Sequence, residues 1–282
     1  MIPAEFEYQA PESVDEAVAL LREHGEDAKA LAGGHSLLPL MKLRLAAPTM
    51  LVDLHRIPGL SEIERDDGAF RIGAMTRHVQ LQESPELGVA SVAASLIADQ
   101  QVRNRGTIGG SVAHGDPASD LPTVLLACDG SVSVQGSGGT REVPAGELFV
   151  DFLTTSLADD ELITSVNLPR MEGYGFGYEK FVRRAEDWAM VGVCALVSER
   201  DGTCEDVRIG LTHMGTTPLR ARAAEDALRG KPLDADSIAA AAERADEGTE
   251  PPGDLNASAD YKRHLARVLT RRALETAAGR GG

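Results

Sequence analysis

Two glycine pairs, each close to a hydroxyl side chain, constrain this sequence more than any other feature. The first lies in AGGHS at 32–36 and the second in TIGGS at 107–111. Glycine accepts backbone angles that other residues avoid, and without a Cβ atom it lets the chain approach a ligand closely. Successive N–H groups in such a turn form a concave nest that suits phosphate oxygens. Together the two loops are able to grip one pyrophosphate from two sides, although each alone is equally consistent with an ordinary turn.

The first glycine pair comes directly after a predicted strand. A helix is predicted over 13–24, because Ser13 and Glu16 form a capping-box pair at its start. Strands are predicted over 28–32 and 50–54, so the opening of the chain is typical of an α/β unit with a glycine loop at a strand end. Ligands often bind there, although the G-x-G-x-x-G fingerprint of dinucleotide-binding domains is absent.

Turn residues predict two boundaries further along the chain. Pro58-Gly59 is a turn, and a glycine-rich stretch with aromatic residues follows Met171. The predicted domains are therefore an N-terminal α/β subdomain over 1–57, a central α+β subdomain over 58–171 and a C-terminal domain over 172–282.

The elements predicted beyond Pro58 include the surroundings of the second glycine pair. That pair is predicted to lie in a long loop over 101–116, followed by a helix over 117–128 that Asp116 is placed to cap. Strands predicted over 178–184, 191–199 and 207–214 form a three-stranded antiparallel sheet, and helices follow over 219–228, 236–245 and 259–277.

Composition limits the function classes. The 282 residues carry a formal net charge of −16, which argues against a nucleic-acid partner because phosphates would be repelled. No apolar run approaches the roughly 20 residues that span a bilayer. The N-terminus lacks the features of a signal peptide, so a cytoplasmic location is expected. No hydrolase motif is present, and no C-x-x-C pair or metal-ligand pattern occurs.

Two further segments complete a pattern that runs through the chain. GDPASD at 115–120 follows the second glycine pair, and YEKFVRRAEDWA occupies 178–189. With AGGHS and TIGGS, in this order, they resemble the FAD-binding subunits of the molybdenum hydroxylases. This family includes the medium chain of aerobic carbon monoxide dehydrogenase and the FAD domain of xanthine dehydrogenase. The resemblance covers nearly the whole chain.

The resemblance implies both a fold and a cofactor site. The fold is α+β: a two-subdomain FAD-binding fold of the vanillyl-alcohol oxidase (PCMH) type, followed by a three-stranded antiparallel sheet with a helical bundle. No residue is assigned a catalytic role and no metal site is expected. The cofactor-binding residues it implies are Ala32, Gly33, Gly34, His35, Ser36, Thr107, Ile108, Gly109, Gly110, Ser111, Asp120, Leu162, Lys180 and Trp188.

Four of these positions have stated roles. By the resemblance, Asp120 accepts hydrogen bonds from ribose hydroxyls and Lys180 contacts the flavin, where a cation would stabilise a reduced, anionic ring. Leu162 matches a flavin-contacting position of the family, but any core leucine fits equally well. Trp188 stands where the family carries an aromatic residue, typically tyrosine, beside one flavin face. Its alternative role is that of a core or interface anchor.

The implied function is that of an oxidoreductase subunit. It would pass electrons from iron–sulfur clusters to an acceptor such as NAD or a quinone. The three cysteines, Cys128, Cys194 and Cys204, offer no framework for such clusters. The clusters are therefore expected on a small iron–sulfur subunit, and substrate oxidation on a large molybdopterin subunit. Three alternatives remain: a stand-alone flavin oxidoreductase, a xanthine- or aldehyde-oxidising complex, and a flavin-free structural subunit.

Overall fold

The computed structural model describes residues 2–66 and 68–279. Asp67, between Asp66 and Gly68, lies outside the described residues. So do Met1 and residues 280–282 at the ends of the predicted domains. Within the two described ranges, no helix combines the length and the apolar character needed to cross a membrane.

The N-terminal part forms a three-stranded parallel sheet in the order β1-β3-β2. Its elements are β1 (Glu7–Gln9), α1 (Val14–His24), β2 (Ala28–Leu31), α2 (Leu37–Leu43) and β3 (Met50–Asp53). The Ser13 half of the predicted capping box is confirmed, because its side chain accepts from the Glu16 N–H at 3.2 Å, whereas the Glu16 carboxylate accepts from the Glu12 N–H at 3.0 Å instead of from Ser13. Ala17 and Leu21 of α1 pack with Val52 of β3 in a small core. The first glycine segment leaves this sheet at the carboxyl end of β2.

The central part is built on a five-stranded antiparallel sheet in the order β4-β5-β10-β6-β7. Its elements are β4 (Ile63–Asp66), β5 (Ala69–Gly73), α3 (His78–Gln82), α4 (Val89–Ser95), α5 (Gln100–Arg103), α6 (Ile108–His114), α7 (Asp120–Ala127), β6 (Ser131–Gly136), β7 (Gly139–Pro144), α8 (Ala145–Leu148), β8 (Phe149–Asp151), β9 (Thr154–Thr155) and β10 (Leu162–Pro169). Helices α4 and α7 pack against this sheet through Ala93 and Leu125, which meet Val132 and Val166 in the largest core.

The predicted loop over 101–116 is wrong, because helices α5 and α6 occupy most of it. Asp99 and Thr107 begin these helices, since their side chains accept from the N–H groups of Val102 and Gly110. Capping of this kind satisfies N–H groups that a helix otherwise leaves without partners. The next helix begins at Asp120 instead of near Pro117, and Asp116 accepts from the Ala118 N–H at 2.8 Å without capping it.

The C-terminal part carries four antiparallel strands in the order β11-β12-β13-β14, and not the three that were predicted. Its elements are β11 (Tyr174–Phe181), β12 (Val191–Arg200), β13 (Thr203–Thr212), β14 (Leu219–Arg220), α9 (Arg222–Leu228), α10 (Ala235–Ala242) and α11 (Ala259–Ala277). The extra strand takes the first two residues of the predicted helix over 219–228, because Leu219 pairs with Leu211 and Arg220 with Gly210. The α+β fold class is confirmed.

Two glycines let helix α11 lie directly on strand β11. A Cβ atom at Gly175 or Gly177 would overlap the carbonyl oxygens of Ala277 and Ala273 in the helix. The sequence prediction began this strand only at Tyr178, because glycine usually weakens strands. Here the missing side chains extend the strand to Tyr174 and bring the last helix against the sheet that carries Lys180.

Candidate functional site

A cleft of about 540 Å³ is lined by residues from the three large sheets, from the two-stranded β8-β9 sheet and from their connections. Thirteen of the fourteen predicted cofactor residues line it: Ala32, Gly33, Gly34, His35, Ser36, Thr107, Gly109, Gly110, Ser111, Asp120, Leu162, Lys180 and Trp188. Ile108 does not, because its side chain is buried in the central core and its N–H donates to the Thr76 carbonyl. The fold therefore brings together residues that are up to 156 positions apart in the sequence, from Ala32 to Trp188.

The first glycine segment turns at a left-handed glycine and leaves a row of N–H groups free. Gly34 has a φ of +78°, a left-handed conformation that glycine adopts readily. Its carbonyl accepts from the Leu38 N–H at 3.0 Å, which starts helix α2. In the described ranges, no protein group accepts from the N–H groups of residues 34–37. Successive free N–H groups around a left-handed glycine are able to bind phosphate oxygens.

The second glycine segment is the first turn of helix α6, so the predicted nest of free N–H groups is wrong there. The N–H groups of Ile108 and Gly109 donate to the carbonyls of Thr76 and Ala74. Those of Gly110 and Ser111 donate to the hydroxyl and carbonyl of Thr107. This segment lines the cleft with Gly109 and Gly110, which carry no side chains, and with Ser111, which carries a hydroxyl group.

Close packing explains why these segments need glycine. A Cβ atom at Gly33 would overlap the carbonyl oxygen of Arg105 and lie 2.8 Å from the Cα atom of Gly106. A Cβ atom at Gly109 would overlap the backbone of Ala74 in the same way, at 2.7 Å from its carbonyl oxygen. Gly33 therefore holds the N-terminal part in direct backbone contact with the central part, and Gly109 holds helix α6 against Ala74, just after strand β5 of the same central part.

Lys180 and Asp120 form a buried ion pair in the wall of the cleft. The Lys180 ammonium donates to Asp120 Oδ2 at 2.8 Å and to the Leu96 carbonyl at 3.0 Å. Both side chains are only 5% exposed. The Tyr178 hydroxyl donates to the other carboxylate oxygen at 2.7 Å. The sequence analysis assigned Asp120 and Lys180 to separate contacts with the cofactor, but in the structure they form an ion pair with each other.

Burial dominates the electrostatics of this network. It raises the pKa of the Asp120 carboxyl, against the opposing pull of the Lys180 ammonium and the Tyr178 hydroxyl. It also raises the pKa of Tyr178, and the Asp120 carboxylate raises that pKa further. The phenol therefore stays protonated and remains a donor. A charge held in so dry a wall acts on a neighbouring ligand with little screening by solvent.

Trp188 is 57% exposed and lines the cleft, so it is not an anchor of the protein core. It lies between β11 and β12, next to Glu186 and Asp187, which also line the cleft. Leu162, by contrast, is buried in the small N-terminal core and also lines the cleft. Both predicted positions reach the cleft, but only the tryptophan leaves a large apolar surface available to a ligand.

His78 is a residue of the cleft that the sequence did not indicate. It is 5% exposed, and its Nδ1 atom is buried without a hydrogen-bond partner among the described residues. Burial lowers its pKa to about 4, and nearby His35 and Arg103 lower it further, so the imidazole is neutral near pH 7. No periodicity or motif singles it out, because it enters the cleft through a bridge between Arg77 and Thr107.

Comparison with known proteins identifies the family. The protein-family model for the FAD binding domain in molybdopterin dehydrogenase matches residues 4–171. The protein-family model for the CO dehydrogenase flavoprotein C-terminal domain matches residues 176–277. This chain belongs to the FAD-binding medium-subunit family of the molybdenum hydroxylases. FAD is therefore its cofactor.

The relatives match this chain from end to end. The carbon monoxide dehydrogenase medium chain of Hydrogenophaga pseudoflava is 45% identical, with 98% of each chain covered. The nicotine 6-hydroxylase medium subunit of Paenarthrobacter nicotinovorans is 40% identical, with 99% of each covered. The structure of carbon monoxide dehydrogenase from Hydrogenophaga pseudoflava superposes with a TM-score of 0.96 at 45% identity, with all of both chains covered. Quinoline 2-oxidoreductase from Pseudomonas putida gives a TM-score of 0.95 at 33% identity, covering 100% of both chains.

Proposed function

We propose that FAD binds in the cleft between the two glycine segments. We further propose that the chain carries electrons from the iron–sulfur clusters of a small partner subunit to an external acceptor, NAD or a quinone. The observation that carries the first proposal is the row of N–H groups at 34–37 that have no acceptor within the described protein. Such a row suits the pyrophosphate of a dinucleotide, because it supplies several donors without adding a mobile charge.

The other side of the cleft supports the same ligand. Helix α6 presents Gly109 and Gly110 with no side chain to obstruct a cofactor, and Ser111 adds a hydroxyl donor. The buried pair of Lys180 and Asp120 supplies fixed polar groups, and the exposed indole of Trp188 supplies an aromatic face. Ligand sites combine apolar and aromatic lining with a few fixed polar groups, and this cleft offers both to a dinucleotide with an aromatic ring. The residues present therefore fit FAD.

The division of tasks follows from what each group is able to do. FAD, when bound, exchanges electrons both singly and in pairs, which lets it join one-electron clusters to a two-electron acceptor. The N–H groups at 34–37 bind and orient the pyrophosphate. Lys180 places a positive charge that favours a more negative ring, and its ion pair with Asp120 keeps the ammonium in one position. Trp188 covers the ring and limits the access of water.

Partners are proposed from the relatives. Those relatives are named as medium chains or subunits, and this chain matches 96–99% of their length. We propose a small iron–sulfur subunit and a large molybdopterin subunit as its partners. The relatives are named for substrates as different as carbon monoxide, nicotine and caffeine, so the substrate is set by the large subunit.

Trp188→Ala tests the contact proposed for the indole. Because the side chain is 57% exposed, we expect its removal to change the melting temperature little. Loss of ring stacking should weaken FAD binding by up to about tenfold, since such contacts are worth roughly 0.5–1.5 kcal/mol. Trp188→Tyr should be nearly neutral.

Thermal unfolding and FAD titration of the same protein separate the two roles of Trp188. Phe152→Ala is the matched control, because Phe152 is also 57% exposed but does not line the cleft. A large fall in melting temperature with unchanged FAD affinity would refute the contact.

The electron-transfer function is tested in the complex assembled with its iron–sulfur and molybdopterin subunits. Carbon monoxide, xanthine and an aldehyde are offered as substrates to the complex and to the FAD-loaded chain alone. We expect one substrate to be oxidised by the complex and none by the isolated chain. In a complex whose medium chain lacks FAD, that substrate should still bleach the iron–sulfur absorbance, while reduction of the acceptor is lost.

Two results would contradict this function. Turnover of an organic substrate by the isolated chain would identify a stand-alone flavin oxidoreductase. Acceptor reduction that continues at the same rate without FAD would place the exit of electrons on another subunit.

A further inference from the structure

His213 has a strained backbone just after strand β13. Its φ is +62°, in the left-handed region that non-glycine residues rarely adopt. Such strain persists only where surrounding contacts over-determine it, and it often marks a functional position. Asp201 has a similar φ of +53° but lies exposed in the turn between β12 and β13.

Three contacts converge on His213. Its N–H donates to the Pro117 carbonyl at 2.8 Å, its Nδ1 atom lies 2.8 Å from the Ala189 carbonyl, and its Nε2 atom lies 3.3 Å from the Lys262 ammonium. A carbonyl oxygen only accepts, so Nδ1 must carry the proton. Nε2 then accepts from Lys262, which only donates. The partners therefore select one neutral tautomer.

Lys262 holds that tautomer from a fully buried position. Its side chain is 0% exposed on helix α11, and its ammonium also donates to Asp254 Oδ2 at 2.7 Å. Burial lowers the pKa of the His213 imidazole and the Lys262 ammonium lowers it further, although the Ala189 carbonyl, Asp254 and Asp116 act in the opposite direction. The ring is therefore neutral near pH 7 and keeps its donor pointed at Ala189.

Ala189 is the residue next to Trp188. The connection over 182–190, here called the Trp188 loop, joins β11 to β12. Its other described backbone bonds run from Asp187 N–H to the Arg184 carbonyl and from Met190 N–H to the Phe181 carbonyl, within the loop or to the strand before it. The His213 contact joins the loop to the residue that directly follows strand β13. Through Pro117 it also reaches the 115–120 segment that leads to Asp120.

We propose that His213 is a positioning residue of the flavin site, whose imidazole holds the Ala189 carbonyl and so keeps Trp188 at the cleft. The ring couples the Trp188 loop, the segment before Asp120 and helix α11 into one unit. This rests on the proposed contact of Trp188 with FAD. Because Trp188 is the only tryptophan of the chain, its fluorescence reports on this coupling even without cofactor.

The test uses His213→Gly in the full chain, with and without FAD. Glycine relieves the backbone strain, so folding is retained, but it removes the imidazole. In the apo chain we expect acrylamide to quench Trp188 more strongly. In the FAD titration we expect the Kd to rise about three- to tenfold, within the limit set by complete loss of the stacking contact. His213→Asn should restore both values, because its amide donates at the place of Nδ1 and asparagine tolerates this φ.

Asp201→Gly is the matched control, because it relieves similar strain at an exposed turn outside the cleft. It should change neither value. In a Trp188→Ala background, His213→Gly should add no further change in the FAD Kd. Unchanged quenching in His213→Gly would overturn the proposal. A change in quenching without a change in Kd would retain the positioning of Trp188 by His213 and refute the proposed Trp188–flavin contact instead.

Discussion

Gly33→Val should yield a folded but colourless protein that no longer binds FAD. Any Cβ atom at this position overlaps the carbonyl oxygen of Arg105, and the Cα atom of Gly106 lies 2.8 Å away. Backbone atoms cannot rotate aside as a side chain can, so the 32–36 segment must move away from the 105–107 backbone. The free N–H groups at 34–37 would then no longer face helix α6 across the cleft. We expect FAD affinity to fall by more than a hundredfold, which corresponds to about 3 kcal/mol.

The measurement is FAD released on denaturation, together with titration of the apo protein. Gly146→Val is the matched control, because a Cβ atom there meets nothing within 4 Å and the residue lies outside the cleft. Circular dichroism establishes that both variants are folded. Retention of full FAD content by Gly33→Val would show that the contact between the two segments is not needed for binding. Gly110→Val should also prevent uptake, because its Cβ atom would lie only 2.8 Å from the Thr107 hydroxyl that caps helix α6, and its two methyl groups would extend into the space between this segment and Ala32.

Asp120→Leu should destabilise the chain by about 3–5 kcal/mol, because it leaves the Lys180 ammonium buried without its counter-ion. Lys180→Met should have a similar cost, since the carboxylate then keeps only the Tyr178 hydroxyl as a described side-chain donor. The double variant should cost clearly less than the sum, because two apolar side chains replace both charges. Urea unfolding of the three apo proteins gives these free energies.

FAD titration of the same variants separates stability from binding. The double variant should regain stability but not FAD affinity, because it lacks both polar groups of the cleft wall. Glu64→Leu is the control for a loss of charge alone, since its ion pair with Arg71 is about half exposed and such pairs contribute little. Strictly additive costs would show that Asp120 and Lys180 do not act as a pair.

The predicted elements were most accurate where the pattern is local. Ser13 caps the start of helix α1 and the helix ends at His24, both as predicted, and strands β2 and β3 agree within one residue. The long loop over 101–116 was wrong, because small residues such as Gly109 and Gly110 disfavour a helix in isolation. In the fold, Thr107 caps that helix and the carbonyls of Ala74 and Thr76 accept its first N–H groups. Both carbonyls lie more than 30 positions before it.

The sequence by itself carried the resemblance that implies the cofactor class, the family and thirteen positions that line the cleft, because that resemblance rests on short motifs in a fixed order. The tertiary structure alone decided what those residues do to one another. It paired Lys180 with Asp120 across 60 positions and left Trp188 exposed at the cleft. It also brought His78 into the cleft wall and His213 against Ala189. The physical reason is that burial and ion pairing depend on which strands become neighbours, and no short segment encodes that.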